Sequence, residues 1–170
     1  MKKDLLKSVI PSTEELKMIS SLPLELQRFL GVMLPQIEKQ KISKRTKEGI
    51  RLARLRGYYT SRAPIGYKNV RVNSKSTLKF NRHSTVIKKA YDMIVNENQS
   101  ISSVKQMLKI NGIKKSNKEL KCILSNRVYL GEIFVPAFKD QSDKYVKGLH
   151  KPLVSEQLFL KAMVLLDSQN

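Results

Sequence analysis

The chain has 170 residues and 41% hydrophobic content, enough for one domain with a modest core, and a single cysteine excludes an intramolecular disulfide. Its 33 lysine and arginine residues against 14 acidic residues give a net charge of +19, which repels itself unless the partner is a polyanion. No apolar run can span a bilayer and tryptophan is absent, so nucleic acid is favoured over a membrane, and the single cysteine fits a reducing, intracellular compartment.

The N-terminal part of the chain is predicted to contain a segment over residues 1–23 and a long helix over residues 24–57. Pro35 removes a backbone hydrogen bond from that helix. A kinked helix and two separate helices that meet at Pro35 both fit the sequence. Apolar residues recur on one side of the first half, which predicts packing and allows a homodimer through Leu26, Leu30 and Met33.

The second half of the long helix is basic around most of its circumference, so it cannot lie inside a core. Gly57 ends it, and Pro64 then favours an extended strap as far as Tyr67. Scattered lysines usually only solvate a surface, but clustering at this density favours contacts with phosphate groups. The predicted phosphate or groove contacts are Lys41, Lys44, Arg45, Lys47, Arg51, Arg54, Arg62 and Lys68.

Residues 58–170 are predicted to form one domain, mainly α with a small β component. The β-branched and turn-forming residues over 70–80 predict a hairpin. A helix follows with Ser84 as its N-cap, and further on a strand pair over residues 133–146 predicts a wing. Ser155 caps a last helix with apolar residues at packing positions.

The middle of this domain has the pattern of a helix-turn-helix unit. Asn111-Gly112 supplies a left-handed stop for one helix, and Ser116 with Glu119 makes a capping box at the start of the next. Any small three-helix core has a similar pattern. The charge of +19 is what favours a winged-helix or helix-turn-helix domain behind a long basic helix.

The helix after the capping box has an outward face suited to reading bases. If Leu120, Ile123 and Leu124 pack inward, Cys122 lies on the opposite face, and we expect its thiol to be accessible. Lysine can donate to guanine and asparagine can pair with adenine, although phosphate contact is an equally open role for Lys118. The candidates for base readout are Asn117, Lys118, Lys121 and Ser125.

Three blocks carry a resemblance in their order and spacing. They are Ile42-Ser43 with Arg45-Thr46-Lys47-Glu48-Gly49 and then Arg62 to Tyr67, Asn126 with Tyr129 and Gly131, and Gly148-x-His150-x-Pro152-Leu153-Val154-Ser155 followed by Phe159. Together they resemble the large serine recombinases, from the end of the long linking helix through the DNA-binding recombinase domain. The resemblance covers Leu24 to Leu166 and departs at Arg127, where that family usually has proline.

This resemblance implies the DNA-binding domain of a site-specific serine recombinase, which binds attachment-site or transposon-end DNA during recombination and integration of a bacterial or phage mobile element. In that family a serine nucleophile lies in a catalytic domain that precedes the linking helix. These 170 residues leave no room for one, so we expect binding without cleavage and no catalytic residue, cofactor or metal site.

Two alternatives stay open. One is a stand-alone helix-turn-helix regulator that occupies operator or recombination sites. The other is a basic RNA-binding protein, which the sequence favours less because its aromatic residues lie mainly at packing positions and do not alternate on strands.

Overall fold

The structure is a computed structural model that describes residues 17, 18, 20–138 and 140–168. The chain divides into two compact units, Met1–Gly49 and Ile50–Asn170. The division into an N-terminal segment, a linking helix and a DNA-binding domain at residues 23 and 57 stays a prediction. Among the described residues, no helix has both the length and the apolar character that crossing a membrane requires.

Helix α1 (Leu24–Leu55) contains Pro35 and does not end there, so the alternative of two separate helices is wrong. At its C-terminus Gly57 has a φ of 79°. The Gly57 N–H donates to the carbonyl of Arg54 (2.8 Å) and the Tyr58 N–H to that of Ala53 (3.0 Å). These two bonds form a Schellman motif, so glycine ends the helix as predicted, with Leu55 as the last helical residue.

The apolar side of the first half of α1, which the sequence predicts to pack, is largely exposed. Leu26 is 47% exposed and Met33 is 37% exposed, while Leu30 is partly buried. Near the start of the helix, the Gln27 side chain donates to the carbonyl of Leu22 (2.7 Å). The predicted homodimer through this side stays a prediction.

The strap leads into an antiparallel hairpin, β1 (Tyr67–Val72) and β2 (Lys75–Phe80), which begins three residues before the predicted position. Asn73 and Ser74 form its two-residue turn, and both have positive φ angles. Two consecutive left-handed residues give the turn that matches the twist of a hairpin. The hairpin contributes the buried side chains of Tyr67 and Leu78 to the core.

Three helices form the centre of the domain: α2 (Ser84–Val95), α3 (Ile101–Ile110) and α4 (Asn117–Leu124). The prediction of Ser84 as N-cap is wrong, because Ser84 is already helical and His83 caps the helix without a side-chain bond. The predicted left-handed stop after α3 is present: the N–H groups of Gly112 and Ile113 donate to the carbonyls of Lys109 and Leu108 at 3.1 and 2.9 Å, a second Schellman motif.

A short 3-10 helix (Arg127–Leu130) connects α4 to the antiparallel ribbon of β3 (Glu132–Val135) and β4 (Lys144–Lys147). The Asn126 side chain accepts from the Val128 N–H (3.0 Å), so this turn forms without proline at position 127. The Arg127 guanidinium instead lies over the Tyr145 ring, 4.5 Å from its centroid. Helix α5 (Glu156–Ser168) follows and packs against α2.

Buried tyrosines occupy the centre of the core and donate their hydroxyls to backbone carbonyls. Tyr129 donates to Ile65 (2.7 Å), Tyr67 to Lys151 (2.8 Å), and Tyr91 to the carbonyl of Leu124 at the end of α4. Burial raises the pKa of all three phenols above the ordinary range. The hydroxyls therefore stay protonated and can donate throughout the physiological range.

His150 is buried beside these rings, and its Nε2 lies 2.8 Å from the carbonyl of Val128. Because a carbonyl only accepts, Nε2 carries the proton and Nδ1 is bare. Nδ1 is buried without a hydrogen-bond partner among the described residues. A side chain at Gly148 would come within 2.4 Å of this atom, so only glycine fits there. Burial lowers the pKa of His150 from its usual 6.5.

His150 should make the folded state sensitive to mild acid. Below the unfolded pKa of 6.5 the unfolded chain takes up a proton that the buried ring does not, so stability is full above this pH and declines below it. Urea unfolding between about pH 7.5 and pH 5.5 should show this decline. It should be weaker in His150→Gln and unchanged in the control His83→Gln. A decline in His150→Gln as large as that of the wild type would contradict the assignment of this pH dependence to His150.

Candidate nucleic-acid interface

Helix α4 has one buried side and one exposed side. Leu120 and Leu124 are buried and Ile123 is partly buried. The thiol-bearing Cys122 is exposed, as predicted from the helical register. The packing therefore turns the face opposite the leucines toward solvent, where a helix of this length can enter a groove.

The candidates for base readout differ in how they are presented on this face. Lys118 and Ser125 are exposed, and Lys121 is partly exposed. The Ser125 hydroxyl already donates to the Lys121 carbonyl, but its oxygen can still accept. Asn117 is only partly exposed, and its Oδ1 is buried without a partner among the described residues. A bidentate contact with adenine would require another rotamer of Asn117.

The start of α4 is fixed by the predicted capping box. The Ser116 Oγ accepts from the Glu119 N–H (3.3 Å), and Glu119 Oε2 accepts from the Ser116 N–H (3.0 Å). Glu119 Oε1 also lies 2.7 Å from the Lys115 ammonium. Hydrogen bonds from Lys115 and Ser116 lower the pKa of Glu119 to about 2, so its carboxylate is charged at any physiological pH.

The strap and the turn before α4 face each other across an open groove of about 750 Å3. Its rim is basic, with Arg62 on the strap and Lys114 and Lys115 on the turn. The strap's backbone is held by side chains: Tyr59 donates to the Arg62 carbonyl (3.1 Å), and Asn69 to the carbonyl of Ser61 (3.0 Å). Arg62 and Lys68 are exposed. The sequence predicts Arg62, but not the two lysines, because their approach depends on packing between distant segments.

Arg54 bridges the strap and the ribbon. Its Nε donates to Thr60 Oγ1 (2.8 Å) and one terminal nitrogen donates to Ser61 Oγ (2.8 Å). The other terminal nitrogen donates to the Phe134 carbonyl (3.3 Å). The side chain remains partly exposed, and its predicted phosphate contact stays a prediction. Arg54 therefore ties the hydroxyls of two strap residues to the end of α1.

Arg51 does not lie on the surface where the sequence predicts a phosphate contact. It is 4% exposed, and its guanidinium donates to the carbonyl of Pro136 and to Gln141 Oε1 (3.0 Å), with the Ser142 carbonyl at 3.5 Å. A planar fork of donors fits these divergent acceptors of the β3–β4 connection. The phosphate role of Arg51 is therefore corrected to one of positioning the ribbon.

The other predicted contacts on α1 lie in its exposed part. Lys41, Lys44, Arg45 and Lys47 are all exposed, and together they give this stretch a dense positive surface. No group of three or more histidine, cysteine, aspartate or glutamate side chains is placed to hold a metal ion in the part of the chain that the structure describes.

A family model described as Recombinase matches residues 81–169, which is more than half of the chain. This chain belongs to the Recombinase family of serine recombinases. The matched residues run from the end of β2 through α5 and include α3, the turn at Gly112 and α4. The strap and α1, on which part of the resemblance rests, precede the matched residues.

Two solved structures resemble this Recombinase chain. One is a crystal structure of an LSR–DNA complex, with 25% identity and a TM-score of 0.52 over 73% of this chain and 38% of that one. The other comes from a study of the Listeria innocua prophage attP site, with 26% identity and a TM-score of 0.51 over 69% of this chain and 49% of that one. The chain thus spans less than half the length of either. No curated protein matches it.

Replacement of Arg51 tests its positioning role. Arg51→Met should lower the free energy of unfolding by about 1.5–3 kcal/mol, because buried acceptors lose charged donors. Arg51→Lys should retain less than half of the free energy that Arg51→Met loses, because one ammonium group cannot donate to all the acceptors that the planar guanidinium reaches. The control Lys47→Met, at an exposed position of α1, should change stability by less than about 0.5 kcal/mol. Urea denaturation measures all three. If Arg51→Met is as stable as the wild type but binds DNA more weakly, the positioning role is wrong and the predicted phosphate contact of Arg51 is supported instead.

Proposed function

We propose that this chain is the DNA-binding portion of a site-specific serine recombinase and that it binds attachment-site or transposon-end DNA during recombination and integration. The whole proteins that it resembles are longer than this chain, so their activity comes to it only as part of this proposal. By itself the chain binds duplex DNA and does not cleave it.

The observation that carries the proposal is the outward face of α4. The turn at Gly112 and the capping box at Ser116 fix this helix against α3, and its exposed side carries polar and basic groups rather than apolar ones. Helix-turn-helix proteins place such a second helix in the major groove, where base edges differ for every base pair.

The basic residues divide into two roles under this proposal. Lys118, Lys121 and Ser125 reach toward base edges from α4, and Asn117 joins them after a change of rotamer. Phosphate contacts come from the exposed cations on α1 and around the strap, and these set affinity and salt dependence without reading sequence. They are Lys41, Lys44, Arg45, Lys47, Arg62 and Lys68.

A stand-alone regulator is a second candidate, favoured by one observation. The apolar side chains of Leu26 and Met33 are exposed on α1, and two copies could bury them in a homodimer with Leu30. Such a dimer would bind two half-sites, which sedimentation of the protein with and without a palindromic duplex would reveal.

Binding to duplex DNA should be tighter than binding to duplex RNA of the same sequence, because the deep, narrow major groove of A-form RNA does not admit α4. With roughly six to eight phosphate contacts, log K for DNA should fall against log salt with a slope of about −5 to −7. Fluorescence anisotropy measures both quantities. Equal affinity for the two duplexes, or binding that salt does not weaken, would contradict the proposal.

A further inference from the structure

A cluster of lysines lies on a side of the helix-turn-helix unit that the sequence predictions do not include. Two of them are one turn apart on α3, and two lie in the turn before α4. With the capping residues of α4 they line a second open groove, of about 380 Å3, whose lining is Lys105, Lys109, Lys114, Lys115, Ser116 and Glu119.

The charge of this cluster is mostly uncompensated. Glu119 pairs with Lys115, but none of the described carboxylates forms a salt bridge with Lys105, Lys109 or Lys114. These three side chains are exposed. Like charges one turn apart on a helix destabilise it by a few tenths of a kcal/mol, so the arrangement favours a bound anion.

The position of the groove indicates which anion it binds. It borders the N-terminal end of α4, the end that approaches base edges when a helix-turn-helix unit docks in the major groove. With α4 docked in this way, the DNA strand at the edge of the major groove would pass beside these lysines. Ammonium groups on flexible stems suit phosphates whose spacing varies, because they act as point charges without fixed geometry.

We propose that Lys105, Lys109 and Lys114 form a phosphate-binding site for the DNA strand that flanks α4 on the α3 side. This site rests on the proposed docking of α4 in the major groove, and it adds contacts to those of α1 and the strap. It positions the helix on the duplex and contributes affinity that does not depend on sequence.

The test compares two double variants that remove the same charge. Lys105→Gln with Lys109→Gln removes two cations from the groove, and Lys88→Gln with Lys161→Gln removes two exposed cations from α2 and α5 that line neither groove. Glutamine keeps helix propensity close to that of lysine. Each protein is titrated with a labelled duplex of mixed sequence over a series of salt concentrations.

The groove variant should reduce the magnitude of the salt slope by about 2, which corresponds to two lost phosphate contacts, and Lys114→Gln should reduce it by about 1. The control variant should change the slope by less than half as much, because it alters only the long-range field. Equal salt slopes for the two double variants would contradict this site. The proposed function would still stand in that case if the wild-type protein binds the duplex. A wild-type protein that binds no duplex would remove the proposed function itself.

Chemical footprinting on the wild-type protein tests the same site without a substitution. Bound duplex should protect Lys105, Lys109 and Lys114 from acetylation, measured by mass spectrometry, and leave Lys88 and Lys161 reactive. Protection of all five to the same degree, or of none, would contradict the proposed site.

Discussion

The arrangement of this domain depends on the burial of tyrosine hydroxyls that must find acceptors. A buried hydroxyl without a partner costs free energy, and Tyr129 meets this requirement with the carbonyl of Ile65, a strap residue 64 positions away in the chain. Tyr67 meets it with Lys151, 84 positions away. The same packing that satisfies these phenols holds the strap against the helical core, and the groove between the strap and α4 follows from it.

The net charge of +19 is divided between surfaces with different tasks. Arg51 and Arg54 at the end of α1 donate to other groups of the protein, the first buried and the second partly exposed, and so hold the ribbon and the strap. The lysines of α3, the turn and α1 remain at the surface, where a polyanion would relieve their mutual repulsion. A count of basic residues alone does not separate these groups, because burial decides which of them can reach a phosphate.

Local signals in the sequence predict much of the fold. Gly57, Gly112 and the Ser116–Glu119 capping box are correctly interpreted, since each depends on a few neighbouring residues. The exposure of Cys122 follows from helical periodicity. The burial of Arg51 and the approach of Lys114 to the strap are not predictable in this way, because they arise from contacts between segments far apart in the chain. Pro35 shows the opposite case, in which a strong local signal for a break does not end the helix.

The central claim is that the exposed face of α4 enters the DNA groove, and Cys122 reports on it most directly because its thiol lies on that face. Its rate of alkylation, followed by mass, should be high in the free native protein and should fall when duplex DNA is added. The matched measurement uses heparin, which can occupy basic surfaces but has no major groove, and it should slow the reaction less. A thiol that reacts at the same rate with and without duplex DNA would contradict the docking of α4.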